Sequence, residues 1–245
     1  MPSINTNYGA AVALQSLNKT SQQLDTTQNR ISTGMKVSSA KDNGAIFAIA
    51  TSQRATAASQ DAVRAGLQRT QSITDVALAA GDTITSALEE MKSLAVNIAS
   101  STGAAQTAYL ADYNALGTEI GTAITGATFD SANSLTALGA NAAITAVNTG
   151  SITAANATTA NVDAAIAATT STLATLGTQS KSLGRQITFV NKLQDAMEAG
   201  VGNLVDADLA KESAKLTALQ TKQQLGVQAL SIANQGSSIL LSLFR

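Results

Sequence analysis

The residues best placed for chemistry are two short acid pairs, Glu89-Glu90 and Asp206-x-Asp208. Neighbouring carboxylates can divide general-acid and general-base work when their surroundings push their pKa values apart. An Asp-x-Asp pair can share a divalent cation if further oxygen ligands converge on it. Neither pair has that support. The chain has no His and no Cys, which removes the usual general base, the commonest metal ligand and all thiolate chemistry. It carries no Gly-x-Gly-x-x-Gly run, no Walker A run and no Gly-x-Ser-x-Gly elbow. Glu89 and Glu90, beside Lys92, read as a solvated helix face. Asp206 and Asp208 read as the start of a helix, whose positive end favours carboxylates. Tyr109 and Tyr113, one helical turn apart, read as packing residues, because no basic residues surround them to make a base-stacking platform. The sequence therefore predicts no catalytic residue, no cofactor and no metal, and an enzyme is the least supported class.

The elements that position these residues follow from composition and period. The 245 residues are 44% hydrophobic, 13% charged and 3% aromatic, without Trp, at a net charge of −1. The apolar residues are small and spread along the chain, as thin helical rods require. No basic field exists to attract nucleic acid or an anionic membrane. The first residues lack a basic region followed by an apolar run, so they do not read as a Sec-type signal peptide. No stretch approaches the roughly 18 apolar residues of a membrane span. Export by a route without a cleaved signal is invisible to these tests.

The single Pro is Pro2, so no later residue forbids a long helix. Ile73, Ala77, Ala80, Ile84, Ala87, Met91, Leu94 and Ile98 alternate steps of three and four, a heptad seam roughly 40 Å long. A second seam runs Leu173, Leu176, Ser180, Leu183, Ile187, Val190, Gln194, Met197, Val201 and Leu204. Gly200 and Gly202 mark a candidate break near its end. The two seams predict an antiparallel pair. Ser39 with Asp42 three residues later resembles a capping box ahead of Ile46, Phe47 and Ile49.

Both chain ends carry diluted copies of the pattern. Leu14, Leu17, Leu24 and Ile31 keep it near the N-terminus. Leu209, Leu216, Leu219 and Leu230 keep it near the C-terminus, ahead of the apolar run containing Leu240, Leu241, Leu243 and Phe244. These segments are too polar for a stable core and too apolar to stay solvated, and no further internal surface remains to cover them. The expectation is coupled folding on assembly with other copies. Between Ser93 and Ser180 there is no Lys or Arg. A helix is predicted around Tyr109, Tyr113, Leu116 and Ile120, and a small β-hairpin insertion within 126–160 around Asn148-Thr149-Gly150. The predicted fold class is mainly α, a long antiparallel coiled-coil or helical-bundle rod with that hairpin insertion.

Two stretches resemble the signatures of a known family. NRISTGMKVSSAKDNGAIFAIA, from Asn29 to Ala50, is similar to the N-terminal signature of bacterial flagellins. Asn203 to Arg245, including Ala233-Asn234-Gln235 and Leu240-Leu241-Ser242-Leu243, is similar to their C-terminal signature. The resemblance implies an inner-core domain made by both terminal helices (1–40 and 205–245) and a helical rod domain between them (41–204). Large outer domains would have to lie between roughly Gly126 and Thr172, a gap too short for them, so a short-form flagellin is implied. It further implies type III export, an extracellular flagellum, polymerisation into a helical filament under a cap protein, hook-junction neighbours and a chaperone for the C-terminal helix. The self-assembly residues expected from the diluted seams are Leu14, Leu17, Leu24, Ile31, Leu209, Leu216, Leu219, Leu230, Leu240, Leu241, Leu243 and Phe244.

One departure stands out. Flagellins recognised by the innate immune receptor carry a motif resembling LQRVRELAV, and the matching segment here is LEEMKSLAV. Leu88 and Leu94 are kept, Glu90 replaces an arginine and Ser93 replaces a glutamate, so weak or absent recognition is implied. Two rival readings remain at this stage. A hook–filament junction protein would resemble flagellin at both ends. An amphipathic membrane-binding helical protein would use the apolar C-terminus, although sparse Lys and Arg argue against it.

Overall fold

The computed structural model describes residues 7–243, with side chains through residue 235. Seven helices occupy the described residues: α1 (Tyr8–Thr33), α2 (Gly44–Ser100), α3 (Ala104–Gly126), α4 (Thr136–Gly139), α5 (Ala142–Asn148), α6 (Thr159–Val205) and α7 (Leu209–Leu243). The mainly α expectation holds. The chain divides into two compact units, one of residues 1–58 with 195–245 and one of residues 59–194.

In the first unit α1 and α7 pack against each other in opposite directions. Asn7 caps α1 by accepting from the Ala10 N–H (3.0 Å), and its amide donates to the Ala233 carbonyl (2.8 Å). At the other end of the pair the Arg30 guanidinium meets the Glu212 carboxylate at 3.1 Å. The face between them buries Thr20, Leu24 and Thr27 of α1, spaced by four and three, and Leu219 of α7. This corrects the expectation that the chain ends have no internal cover: they cover each other in part. Gly34, at φ 70°, ends α1 in the left-handed conformation that glycine adopts without a Cβ penalty. Backbone bonds then tie the two connectors together: Lys36 N–H to Val205 O (2.7 Å) and Ala207 N–H to Gly34 O (2.8 Å). Ala50, Val201 and Val205 form a small core, with Met35 and Ile46 packed on it.

The cap of α2 differs from the sequence reading. Asn43, not Ser39, caps the helix, accepting from the Ile46 N–H at 3.1 Å. Asp42 instead accepts from the N–H and hydroxyl groups of both Ser38 and Ser39 at 3.0–3.1 Å. The Ser38 hydroxyl chiefly, then the Ser39 and Ser38 N–H groups, hold its carboxyl below the usual range. Asp208 behaves as expected, accepting from the Lys211 N–H (3.1 Å) at the start of α7. Gly200 and Gly202 do not break α6, which runs through to Val205.

In the second unit α2 and α6 run antiparallel. Gln194 donates to Asp61 (3.3 Å), Ser180 donates to Asp75 (3.2 Å) and Lys92 pairs with Asp163 (2.6 Å). Each advance along α2 is matched by an equal retreat along α6, so one register holds throughout. The two predicted seams face inward: Ala77, Ile84, Ala87, Met91 and Ile98 are buried, as are Leu176, Leu183 and Val190. Leu88 and Ala95 are buried too, because a wider stripe than the seam meets α3. The predicted helix around Tyr113 is α3, which buries Tyr113, Gly117, Ile120 and Ile124 on one face.

The β-hairpin expectation is overturned. Segment 126–160 forms no sheet; it holds α4, α5 and one isolated bridge, Phe129 with Ala132, closed around Asp130 and Ser131 at positive φ. The reason is local. Asn141 caps α5 by accepting from the Ala143 N–H, and the three-residue spacing of Ile144 and Val147 buries both as a helix turn would. α5 lies so close to α3 that a β-carbon on Gly117 would stand 2.5 Å from the Val147 carbonyl oxygen. Asn114 then holds the chain beyond α5, bonding both the N–H (2.7 Å) and the carbonyl (3.2 Å) of Ile152.

Candidate assembly interface

Pairing of α1 with α7 uses only part of their apolar surface. Among the residues predicted for self-assembly, Leu24 and Leu219 are buried within the pair. Leu17, Ile31, Leu216 and Leu230 are half-buried, and Leu17 rests on Gly226, where a β-carbon would be 3.3 Å from its Cδ1. Leu14 and Leu209 remain exposed. Leu240, Leu241 and Leu243 lie in α7 but their side chains are outside the described residues, and Phe244 lies outside them altogether.

Further exposed apolar residues lie off the seams and escaped the sequence reading. They are Tyr8 (83% exposed), Ile232 (69%), Leu225 (59%), Val12 and Val227. Heptad counting collects the residues that face an internal partner. The exposed apolar residues of the pair fall both on those positions, as at Leu14 and Leu209, and between them, as at Tyr8, Leu225 and Ile232, so only the folded pair separates them. An exposed apolar side chain of this size gains roughly 1.5–3 kcal/mol on full burial, so a handful is enough to drive association.

The electrostatics of this unit are sparse. Glu212 is largely buried; one oxygen meets Arg30 and the other has no hydrogen bond, with Lys215 at 3.8 Å. No group of three or more metal-ligating side chains exists among the described residues. No helix among them is long and apolar enough to cross a membrane. The Glu89-Glu90 pair is exposed, and Lys92 turns to Asp163 rather than to them.

The segment matching the receptor motif lies on α2. Leu88 is fully buried and Leu94 half-buried against the core of the second unit, whereas Glu90 and Ser93 are exposed. Tyr113 is buried with its hydroxyl unpartnered, and burial pushes its pKa up to about 12. Tyr109 is at the edge of exposure.

A helical chain whose end helices pair with each other, yet keep large apolar side chains exposed, has the surface of a self-assembling structural subunit. Comparison with known proteins gives the family. The bacterial flagellin N-terminal helical region matches residues 4–135, and the bacterial flagellin C-terminal helical region matches residues 159–244. Flagellin FljK of Caulobacter vibrioides is 52% identical over 99% of this chain and 98% of its own length. A flagellin of Brucella melitensis is 35% identical over the whole of both chains. The chain belongs to the bacterial flagellin family. It is a structural subunit, not an enzyme, and it polymerises into the extracellular filament of the bacterial flagellum.

Proposed function

We propose that α1 and α7 form the inner-core domain of the subunit in the filament, with 1–40 and 205–245 as its two strands of chain. The exposed apolar residues on this pair support the reading, because seven of the fourteen large apolar side chains exposed among the described residues lie on these two helices. Leu14, exposed at the same end of the pair as Tyr8, Leu225 and Ile232, and Leu209, exposed at the other end, contact neighbouring subunits, and the run of Leu240, Leu241, Leu243 and Phe244 extends that contact. Lateral contacts of this kind are heterologous and non-closing, so they propagate as a helix of subunits. Leu24 and Leu219 act one step earlier, by holding α1 on α7.

The same surface explains the accessory partners. An apolar C-terminal helix on an exported chain needs a chaperone to shield it, and insertion at the distal end needs a cap that confines the unfolded chain. Hook-junction proteins supply the first surface on which it polymerises. Export proceeds through the flagellar type III apparatus. Low charge, no Cys and small apolar side chains suit threading through a narrow channel.

Receptor recognition is weak or absent in this reading. Exposed Glu90 presents a negative charge where the recognised motif has a positive one, and buried Leu88 has no surface to offer. Reversing one partner's charge at a desolvated contact sets like against like and costs several kcal/mol.

Removing the last ~10 residues tests the assembly role. The truncated chain should retain its helicity and fail to extend filament seeds. Seeded growth at the wild-type rate and yield refutes the proposal.

A further inference from the structure

The cations of the second unit divide into two sets. Arg64, Arg69 and Lys92 are each neutralised within the molecule, by Asp61 (2.7 Å), by Asp130, and by Asp163 (2.6 Å) respectively. Lys181, Arg185 and Lys192, the other three, are exposed and form no ion pair among the described residues. Their spacing of four and seven puts all three on one face of α6, over about 17 Å.

Six acids of this unit, Asp75, Asp82, Glu89, Glu90, Asp112 and Glu119, form no ion pair among the described residues, and three of them line up. Asp75, Asp82 and Glu89 recur every seven residues on α2, so they share one exposed face about 21 Å long. None forms an ion pair among the described residues; Asp75 accepts only from the Ser180 hydroxyl.

These two faces meet inside the subunit only at their ends, where Lys181 lies level with residue 74, and are otherwise apart. The Asp75–Ser180 contact sets the register. The acidic face extends from that point along α2 toward Glu89, beside residues 166–180 of α6. The basic face extends the opposite way, beside residues 63–74 of α2. The faces therefore occupy successive stretches, with their midpoints about 20 Å apart along the helices.

We propose that the Lys181–Arg185–Lys192 face of one subunit docks on the Asp75–Asp82–Glu89 face of a second copy of this chain, staggered by about 20 Å. Opposite sign and similar length of the two aligned faces select that partner. The stagger makes the contact heterologous, so each subunit offers one face to each of two neighbours and the chain of contacts does not close. This rests on the reading of the protein as a filament subunit and adds a salt-sensitive registering contact to the apolar one carried by α1 and α7.

The test uses seeded growth of the full-length chain. The K181E/R185E/K192E chain and the D75K/D82K/E89K chain should each show a critical concentration raised at least about tenfold, since three exposed pairs turn from attraction to repulsion. The chain with all six reversals restores opposite charge at every contact. It should regain growth on its own seeds but grow poorly on wild-type seeds, where like faces like. The neutral variant K181Q/R185Q/K192Q, checked for unchanged helicity, guards against misfolding and should show an intermediate rise. Wild-type growth should weaken between about 0.05 and 0.5 M NaCl. Normal growth of both triple reversals, no rescue by the sixfold swap, or salt-independent wild-type growth each overturns the contact. Failure of the wild-type chain to grow under every condition would instead overturn the filament reading.

Discussion

Tyr113 offers a quantitative check on the core of the second unit. Its ring is fully buried on α3 and its hydroxyl has no hydrogen-bond partner. A buried unpaired hydroxyl costs about 1–3 kcal/mol in desolvation. Tyr113→Phe keeps the ring and removes that cost, so the variant should be more stable by about 1 kcal/mol near neutral pH. The pH dependence follows from the same burial, which moves the phenol from 10.0 up to about 12. The folded state resists ionisation that the unfolded chain accepts above pH 10. Stability is thus intact below pH 10 and is lost as pH rises from there toward 12. Near pH 11 the loss from this group comes to about 1 kcal/mol, and Tyr113→Phe lacks it. Its advantage should therefore grow from about 1 to about 2 kcal/mol between pH ~8 and pH ~11. Urea unfolding followed by far-UV circular dichroism at the two pH values measures both terms. A destabilised Phe variant at pH ~8, or an advantage that does not change with pH, refutes the reasoning.

Two further substitutions probe the packing that holds the units together internally. Gly117→Ala forces a β-carbon onto the Val147 carbonyl, which is backbone and cannot swing away. A cost of about 1–3 kcal/mol is expected, read as faster amide exchange through α5. Arg30→Ala leaves the largely buried Glu212 carboxylate with only Lys215 near it. It should destabilise the α1–α7 pair by about 1–3 kcal/mol, and adding Glu212→Gln should recover part of that loss in thermal unfolding.

Much of the fold is legible because the helix period is strong where two long helices face each other. All eight positions of the seam from Ile73 to Ile98 are buried or half-buried. The second seam drifts at its end: Val205, not Leu204, is buried there, because a 3.6-residue helix rotates past a strict heptad. The 126–160 segment misled for a physical reason. Thr and Val favour strands only where a pleated surface receives them. Here Asn141 supplies a helix cap and α3 receives Ile144 and Val147 on one side. The Ser39 cap failed because the Asp42 N–H bonds the Ser39 carbonyl, the Ser39 hydroxyl donates to the Asp42 carboxylate, and Asn43 stands closer to the first turn. The candidate interface was half legible. Seam positions such as Leu24 and Leu219 turned inward, while Tyr8, Leu225 and Ile232 carry no periodic signal that sets them apart.

The central claim is that apolar side chains left exposed on α1 and α7 become covered by neighbouring subunits. The chain has no cysteine, so one thiol can be introduced cleanly. Ile232→Cys, 69% exposed at that position in the folded subunit, should react readily with a maleimide in the monomer and become strongly protected in the filament. Equal labelling rates in monomer and filament would contradict the account.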